Sequence, residues 1–149
     1  MKIWIDADAC PGEAKQLLFR TAERRQIDMT LVANQPMPIP RSEFISTLLV
    51  PSGANVADAR IVELMESGDL VITADIPLAA QVVAKGGMAL DPRGHLYQAE
   101  NIGERLAMRH LLDELRGGGQ ITGGPANYNQ KDRQAFANQL DRWVTRALR

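Results

Sequence analysis

The chain has 149 residues, 45% of them hydrophobic and 23% charged, with a net charge of −1 at pH 7; this suffices for one domain with a real core, spanning 1–149, and not for two. No run approaches the roughly 18–20 apolar residues of a membrane span, and no basic-then-apolar leader opens the chain, so the expected location is the cytoplasm. The lone Cys10 rules out an intrachain disulfide and fits a reducing compartment.

The chain opens with "MKIWIDADAC". Ile3, Trp4 and Ile5 form an unbroken apolar run, the pattern of a strand covered on both faces, yet the run ends in two acids, Asp6 and Asp8. Pro11 suits the first position of a helix over about 12–25, in which Ala14, Leu17, Leu18, Thr21 and Ala22 share one face. Residues 28–33 read as a second strand. "NQPMPIPRS", with three prolines, reads as an extended loop, and 44–50 as a third strand before the turn "PSGAN". In "VADARIVELMESG", Ala57, Ile61, Leu64 and Met65 share a helical face that Gly68 is expected to end. "DLVITAD" is another apolar strand closing in Asp. A helix starting at Pro77 and a short strand "MALD" ending at Asp91 follow. Strands alternating with helices of this size predict a mainly parallel sheet covered on both faces, a three-layer α/β/α sandwich.

Two longer helices are predicted at about 101–116 and 130–148, joined by a Gly-rich linker at about 117–129 with five glycines and a proline. On the last helix Phe136, Leu140, Trp143 and Ala147 form an apolar stripe, read as core. Charge is uneven. Residues 1–100 carry 9 basic and 13 acidic side chains, whereas 101–149 carry 8 and 5.

The acids carry the chemistry. In an open α/β sheet, ligands bind beyond the carboxyl ends of the strands where strand order reverses. Asp6 and Asp8 follow the first strand, Asp75 follows "LVIT", and Asp58 lies near the start of the helix leading to that strand. Asp58 and Asp75 each also suit a helix start, where a carboxylate accepts orphan N–H groups for about 1 kcal/mol. The set is harder to explain that way, because two carboxylates about 5 Å apart repel by about 3 kcal/mol at an effective dielectric of about 20. A hard divalent ion, Mg²⁺ or Mn²⁺, would neutralise them and activate a water for hydrolysis. His95 and His110 lie far apart with no Cys at ligand spacing, so zinc has no support. Cys10 beside the acids reads as a packing residue.

"IWIDADACP", "NVADARIVELMESGDLVITADIPLAAQVVAKG", "DPRGHLY" and "TGGPANYNQKDRQAF" together resemble the YaiI/YqxD-type family of bacterial proteins, which is similar to the PIN-like nuclease superfamily. The resemblance spans nearly the whole chain and implies a PIN-like α/β/α domain with acids gathered around one or two Mg²⁺ or Mn²⁺ ions to cleave RNA, or DNA in flap-nuclease relatives, with single-stranded RNA the expected partner here. By that likeness, Asp6 matches the strand-one ligand with Asp8 beside it. Asp58 matches the acid of the middle motif, and Asp75 the acid after the fourth strand, with Thr73 positioning it. The chain departs from the pattern at Asn55, where the family usually has an acid, and at Asp91, where it often has Asn. Asn55 still offers a neutral oxygen to substrate or ion. Lys131 and Arg133 either close over a phosphate backbone or begin a solvated helix.

Two other readings stand beside this one. A phosphohydrolase of the haloacid-dehalogenase type would use Asp6 as nucleophile, Asp8 as acid/base, Thr73 as phosphate contact and Lys85 as charge partner. Against it, Asp8 is followed by Ala-Cys-Pro rather than a Gly-Thr turn, and Asp58 would have no role. The other is a PIN-like module that binds RNA or a protein partner without catalysis.

Overall fold

The computed structural model describes residues 1–117 and 127–148. Most of the expected Gly-rich linker therefore lies outside the described residues. Six strands form one sheet: β1 (Ile3–Asp6), β2 (Met29–Ala33), β3 (Ile45–Leu49), β4 (Leu70–Ile72), β5 (Met88–Leu90) and β6 (Leu96–Tyr97). Their order is β3-β2-β1-β4-β5-β6. All neighbouring pairs are parallel except β5 with β6. The predicted parallel sheet is thus present, with an antiparallel edge the sequence reading did not anticipate. A two-residue strand is too short to carry a period.

Among the described residues five helices cover the sheet: α1 (Gly12–Arg25), α2 (Val56–Leu64), α3 (Ile76–Ala84), α4 (Ile102–Gly117) and α5 (Gln130–Ala147). Side chains alternate across each strand, which sorts the central residues between two cores. Ile3 and Ile5 of β1, with Leu31 and Ile72, pack under α1 and α5 against Leu18, Phe136 and Leu140. Trp4, Val32 and Val71 pack on the other face against Ile61 of α2 and Leu78 and Val82 of α3. A smaller cluster of Ala79, Ala89 and Tyr97 has Ile102 of α4 packed on it. The result is the expected three-layer α/β/α arrangement. No helix among the described residues is long and apolar enough to cross a membrane.

One predicted boundary moves. α2 stops at Leu64, before Gly68, and Met65 takes an extended conformation with its side chain fully buried. The cause is Asp69, whose buried carboxylate accepts bonds from the Glu66 N–H at 2.9 Å, the Trp4 indole N–H at 3.0 Å and the Lys2 N–H at 3.0 Å. Three donors converging on one buried acid fix the entry into β4 and outweigh one more helical turn. Gly68 then serves the turn, at φ 92°.

The strand order positions the site. From β1 the chain moves outward to β2 and β3, then returns across β1 to continue on its other side with β4. The carboxyl ends of β1 and β4 are therefore the topological switch point, where adjoining crossovers part and leave a crevice.

Candidate functional site

β1 and β4 run in register, with Ile5 beside Ile72. Asp6 and Thr73 are therefore the next residues to face each other at the crevice. Thr73 Oγ1 donates to Asp6 Oδ2 at 3.0 Å and accepts the Asp75 N–H at 3.0 Å. Thr73 is buried and both functions of its hydroxyl are engaged within the protein. Asp75 caps α3, its Oδ1 accepting the Leu78 N–H at 2.9 Å. Cap and site thus coincide in one residue.

Asp58 sits in the first turn of α2 and shares a side-chain hydrogen bond with Asp75. Burial, then the charges of Asp75 and Asp6 and that shared bond, push Asp58 up to about 6. The Asp6 carboxyl is also raised, mainly by burial and further by Asp75 and Asp8, while the Thr73 bond works the other way. Asp6, Asp58 and Asp75 therefore form one electrostatically coupled group drawn from β1, α2 and the start of α3.

Asp8 belongs to it only at longer range. Exposed in the short 3₁₀ turn Ala7–Ala9 after β1, it uses Oδ2 to accept the Asn34 N–H at 2.8 Å, fastening the loop after β2. Asn55 precedes α2 in a left-handed conformation, φ 64°, which Asn tolerates better than most residues. It lines a cleft of 440 Å³ together with Asp58, Asp75, Gln81 and Arg109. Lys131 is exposed in the first turn of α5, and Arg133 lies near Tyr128. Tyr128 donates to the Pro92 carbonyl at 2.9 Å, so both basic residues belong to the junction between α5 and the turn after β5. Asp91 is buried in that turn, accepting the Arg93 N–H. Cys10 is buried, and burial pushes its thiol up to about 12, in keeping with a packing role.

Three residues of the site escaped the sequence reading. His95, Arg105 and Arg109 line a second cleft, of 410 Å³, that also includes Asp75. The signals available were the basic excess after residue 100 and the i, i+4 spacing of the two arginines. Neither says which helix face meets the acids, a matter settled by topology.

Among the described residues, no three His, Cys, Asp or Glu side chains are arranged to hold a metal ion. Mg²⁺ asks for less, since it keeps several waters and is commonly held by one or two carboxylates. The adjoining carboxylates of Asp58 and Asp75, hard oxygen donors whose mutual repulsion a cation would relieve, fit such a hydrated ion.

Fold and site define an α/β/α protein with a coupled acidic group at the switch point of a mostly parallel sheet. The chain belongs to the YaiI/YqxD family: the family model described as "Uncharacterized BCR, YaiI/YqxD family" matches residues 4–146. Similar full-length relatives include the UPF0178 protein of Shewanella amazonensis, 60% identical over 146 residues and covering 98% of both chains. The UPF0178 protein of Pectobacterium atrosepticum is 58% identical over 144 residues, covering 97% of this chain and 96% of its own. That of Syntrophotalea carbinolica is 60% identical over 146 residues, with 98% and 99% covered. No solved structure matches the chain.

Proposed function

We propose that this protein is a divalent-metal-dependent nuclease that hydrolyses RNA phosphodiester bonds. The observation that carries the reading is the convergence of Asp6, Asp58 and Asp75 at the switch point, with Asp58 raised to about 6 by burial and its acidic neighbours. Asp58 and Asp75 would hold Mg²⁺ or Mn²⁺ with Asp6 beside them, and the bound ion would supply a water of lowered pKa and positive charge for the phosphate. Thr73 orients Asp6, and the Leu78 N–H fixes one oxygen of Asp75, leaving its other oxygen for the site. With its proton affinity raised by burial, Asp6 is suited to draw a proton from the attacking water.

The phosphohydrolase reading loses its charge partner. Lys85 Nζ donates to the Val62 and Glu63 carbonyls at 2.6 and 3.2 Å, at the end of α3 opposite Asp75. Asp8, the acid/base of that reading, is engaged with Asn34. The non-catalytic RNA-binding module is favoured by one observation, the lack of a three-ligand enclosure among the described residues.

Calorimetric titration of Mn²⁺ into the wild type and Asp58→Asn, paired with a cleavage assay on labelled single-stranded RNA, separates these readings. The nuclease reading expects Mn²⁺ uptake that Asp58→Asn largely abolishes, and Mn²⁺-dependent cleavage lost in Asp6→Asn. A wild type that takes up no Mn²⁺ leaves the binding module, and a phosphorylated enzyme recovered after turnover would establish the phosphohydrolase.

A further inference from the structure

Arg105, Met108, Arg109 and Leu112 recur at i, i+3, i+4 and i+7 along α4, so they occupy one face of the helix. All four line the cleft that Asp75, His95 and Asp113 also line. This face combines two guanidinium groups with two apolar side chains, Met108 being 52% exposed. Arg109 is braced by Asp113 at 3.1 Å, while among the described residues Arg105 has no ion-pair partner.

The two clefts adjoin. The cleft that holds Asp58, of 440 Å³, and the α4 cleft, of 410 Å³ and lined by Arg105 and Arg109 together with Asp75 and Asp113, share Asp75 and Arg109 as wall residues. A ligand lying across both would run from Asp58 at one end to Arg105 at the other, passing Asp75 and Arg109 between them. A compact anion would fill only one cleft. The arrangement suits an extended, repeating polyanion whose apolar groups rest on Met108 and Leu112, and guanidinium is the side-chain group best matched to phosphate.

We propose that this face of α4 is the strand-binding groove of the protein, in which Arg105 and Arg109 hold the phosphates of a single-stranded RNA next to the one presented to Asp6, Asp58 and Asp75. The proposal rests on the nuclease reading for its orientation, yet it concerns binding and is measured without catalysis. Arg105 and Arg109 are affinity contacts to the strand's phosphates rather than participants in bond cleavage.

The test is fluorescence anisotropy of a labelled single-stranded RNA titrated with protein in EDTA, over a series of salt concentrations. Wild type is compared with Arg105→Ala, Arg109→Ala and the exposed α1 variant Arg20→Ala, each checked for an unchanged melting curve. Each α4 variant is expected to bind about five-fold or more weakly at low salt and to reduce the slope of log K against log salt by about 0.7, the value for one phosphate contact on a single strand. Arg20→Ala is expected to match the wild type. Wild-type affinity in both α4 variants, or no RNA binding by the wild type, overturns the groove. The two readings fail separately: binding that needs Arg105 and Arg109 without Mn²⁺-dependent cleavage removes the nuclease and keeps the groove. Cleavage that is indifferent to both arginines does the reverse.

Discussion

Thr73 carries more of the site than its size suggests. Its single hydroxyl donates to Asp6 and accepts from the Asp75 backbone, so it joins the ends of β1 and β4 to the start of α3. Valine has nearly the same shape but no hydroxyl, and would leave the Asp75 N–H without its acceptor and Asp6 without its donor. Thr73→Val is expected to lower unfolding stability by about 1–3 kcal/mol in urea titrations. It should also raise the Asp6 carboxyl further, because the lost bond is the one that opposes the effect of burial there. Mn²⁺ affinity at neutral pH should fall with it, and Thr73→Ser should restore most of both. A Thr73→Val protein as stable as the wild type would mean that water replaces the hydroxyl.

The start of α5 shows how one element is fastened to the sheet. Asn129 and Asp132 form a reciprocal capping box, and Asp132 Oδ2 also pairs with Arg93 at 2.6 Å from the turn after β5. Gly94, at φ 95°, closes that turn, and a Cβ there would meet Ala135 of α5 at 2.7 Å. Asp132→Ala removes the acceptor of the Asn129 N–H and the ion pair together, leaving the Asn129 side-chain cap in place, and is expected to cost about 1–3 kcal/mol, read as a lower melting temperature. Asp132→Asn, which keeps an acceptor for the cap but not the charge, should lose only part of this. The sequence made the helix itself readable, since Phe136 and Leu140 are buried as its stripe implies. The third buried position is Val144, with Trp143 packed at the edge of the core and Ala147 exposed. Periodicity locates a face to within about one position and no better. The same limit explains Leu64. Hydrophobic spacing continues through Met65, but the helix is ended by donors on Lys2, Trp4 and Glu66 gathered by Asp69, of which two lie far away in sequence. Asp6, Asp58 and Asp75 were legible because each follows an apolar strand or opens a helix, so the fold class alone aims them at one crevice, whereas nothing local marks Asp8 as the acid that turns to Asn34 instead. The α4 arginines were not, because their approach to Asp75 depends on how α4 seats beside α3, which no local pattern records.

Taken as a whole, the molecule concentrates negative charge where its strand order opens a crevice, and this makes its stability depend on pH in a particular direction. Asp58 is raised from its ordinary 3.8 to about 6, and Asp6 is raised as well. The folded state therefore holds these protons more tightly than the unfolded chain does. Their contribution to stability is fully present below the ordinary carboxylate range and is lost as pH rises through about 6. In EDTA, the melting temperature of the wild type is expected to fall between pH 5 and pH 7 relative to Asp58→Asn, which has no proton to lose at that position. On the metal-dependent reading Mn²⁺ would act in the opposite sense, because it would bind the ionised carboxylates that the folded state brings together. Its stabilisation should be slight at pH 5, where protons compete for the same oxygens, and should approach about 2.7 kcal/mol at pH 7 once free Mn²⁺ is about 100 times its dissociation constant. Asp58→Asn should flatten both trends. If wild type and Asp58→Asn melt alike at every pH, with and without Mn²⁺, then the three acids do not act as one site. If only the Mn²⁺ effect is missing, their coupling stands and the metal does not.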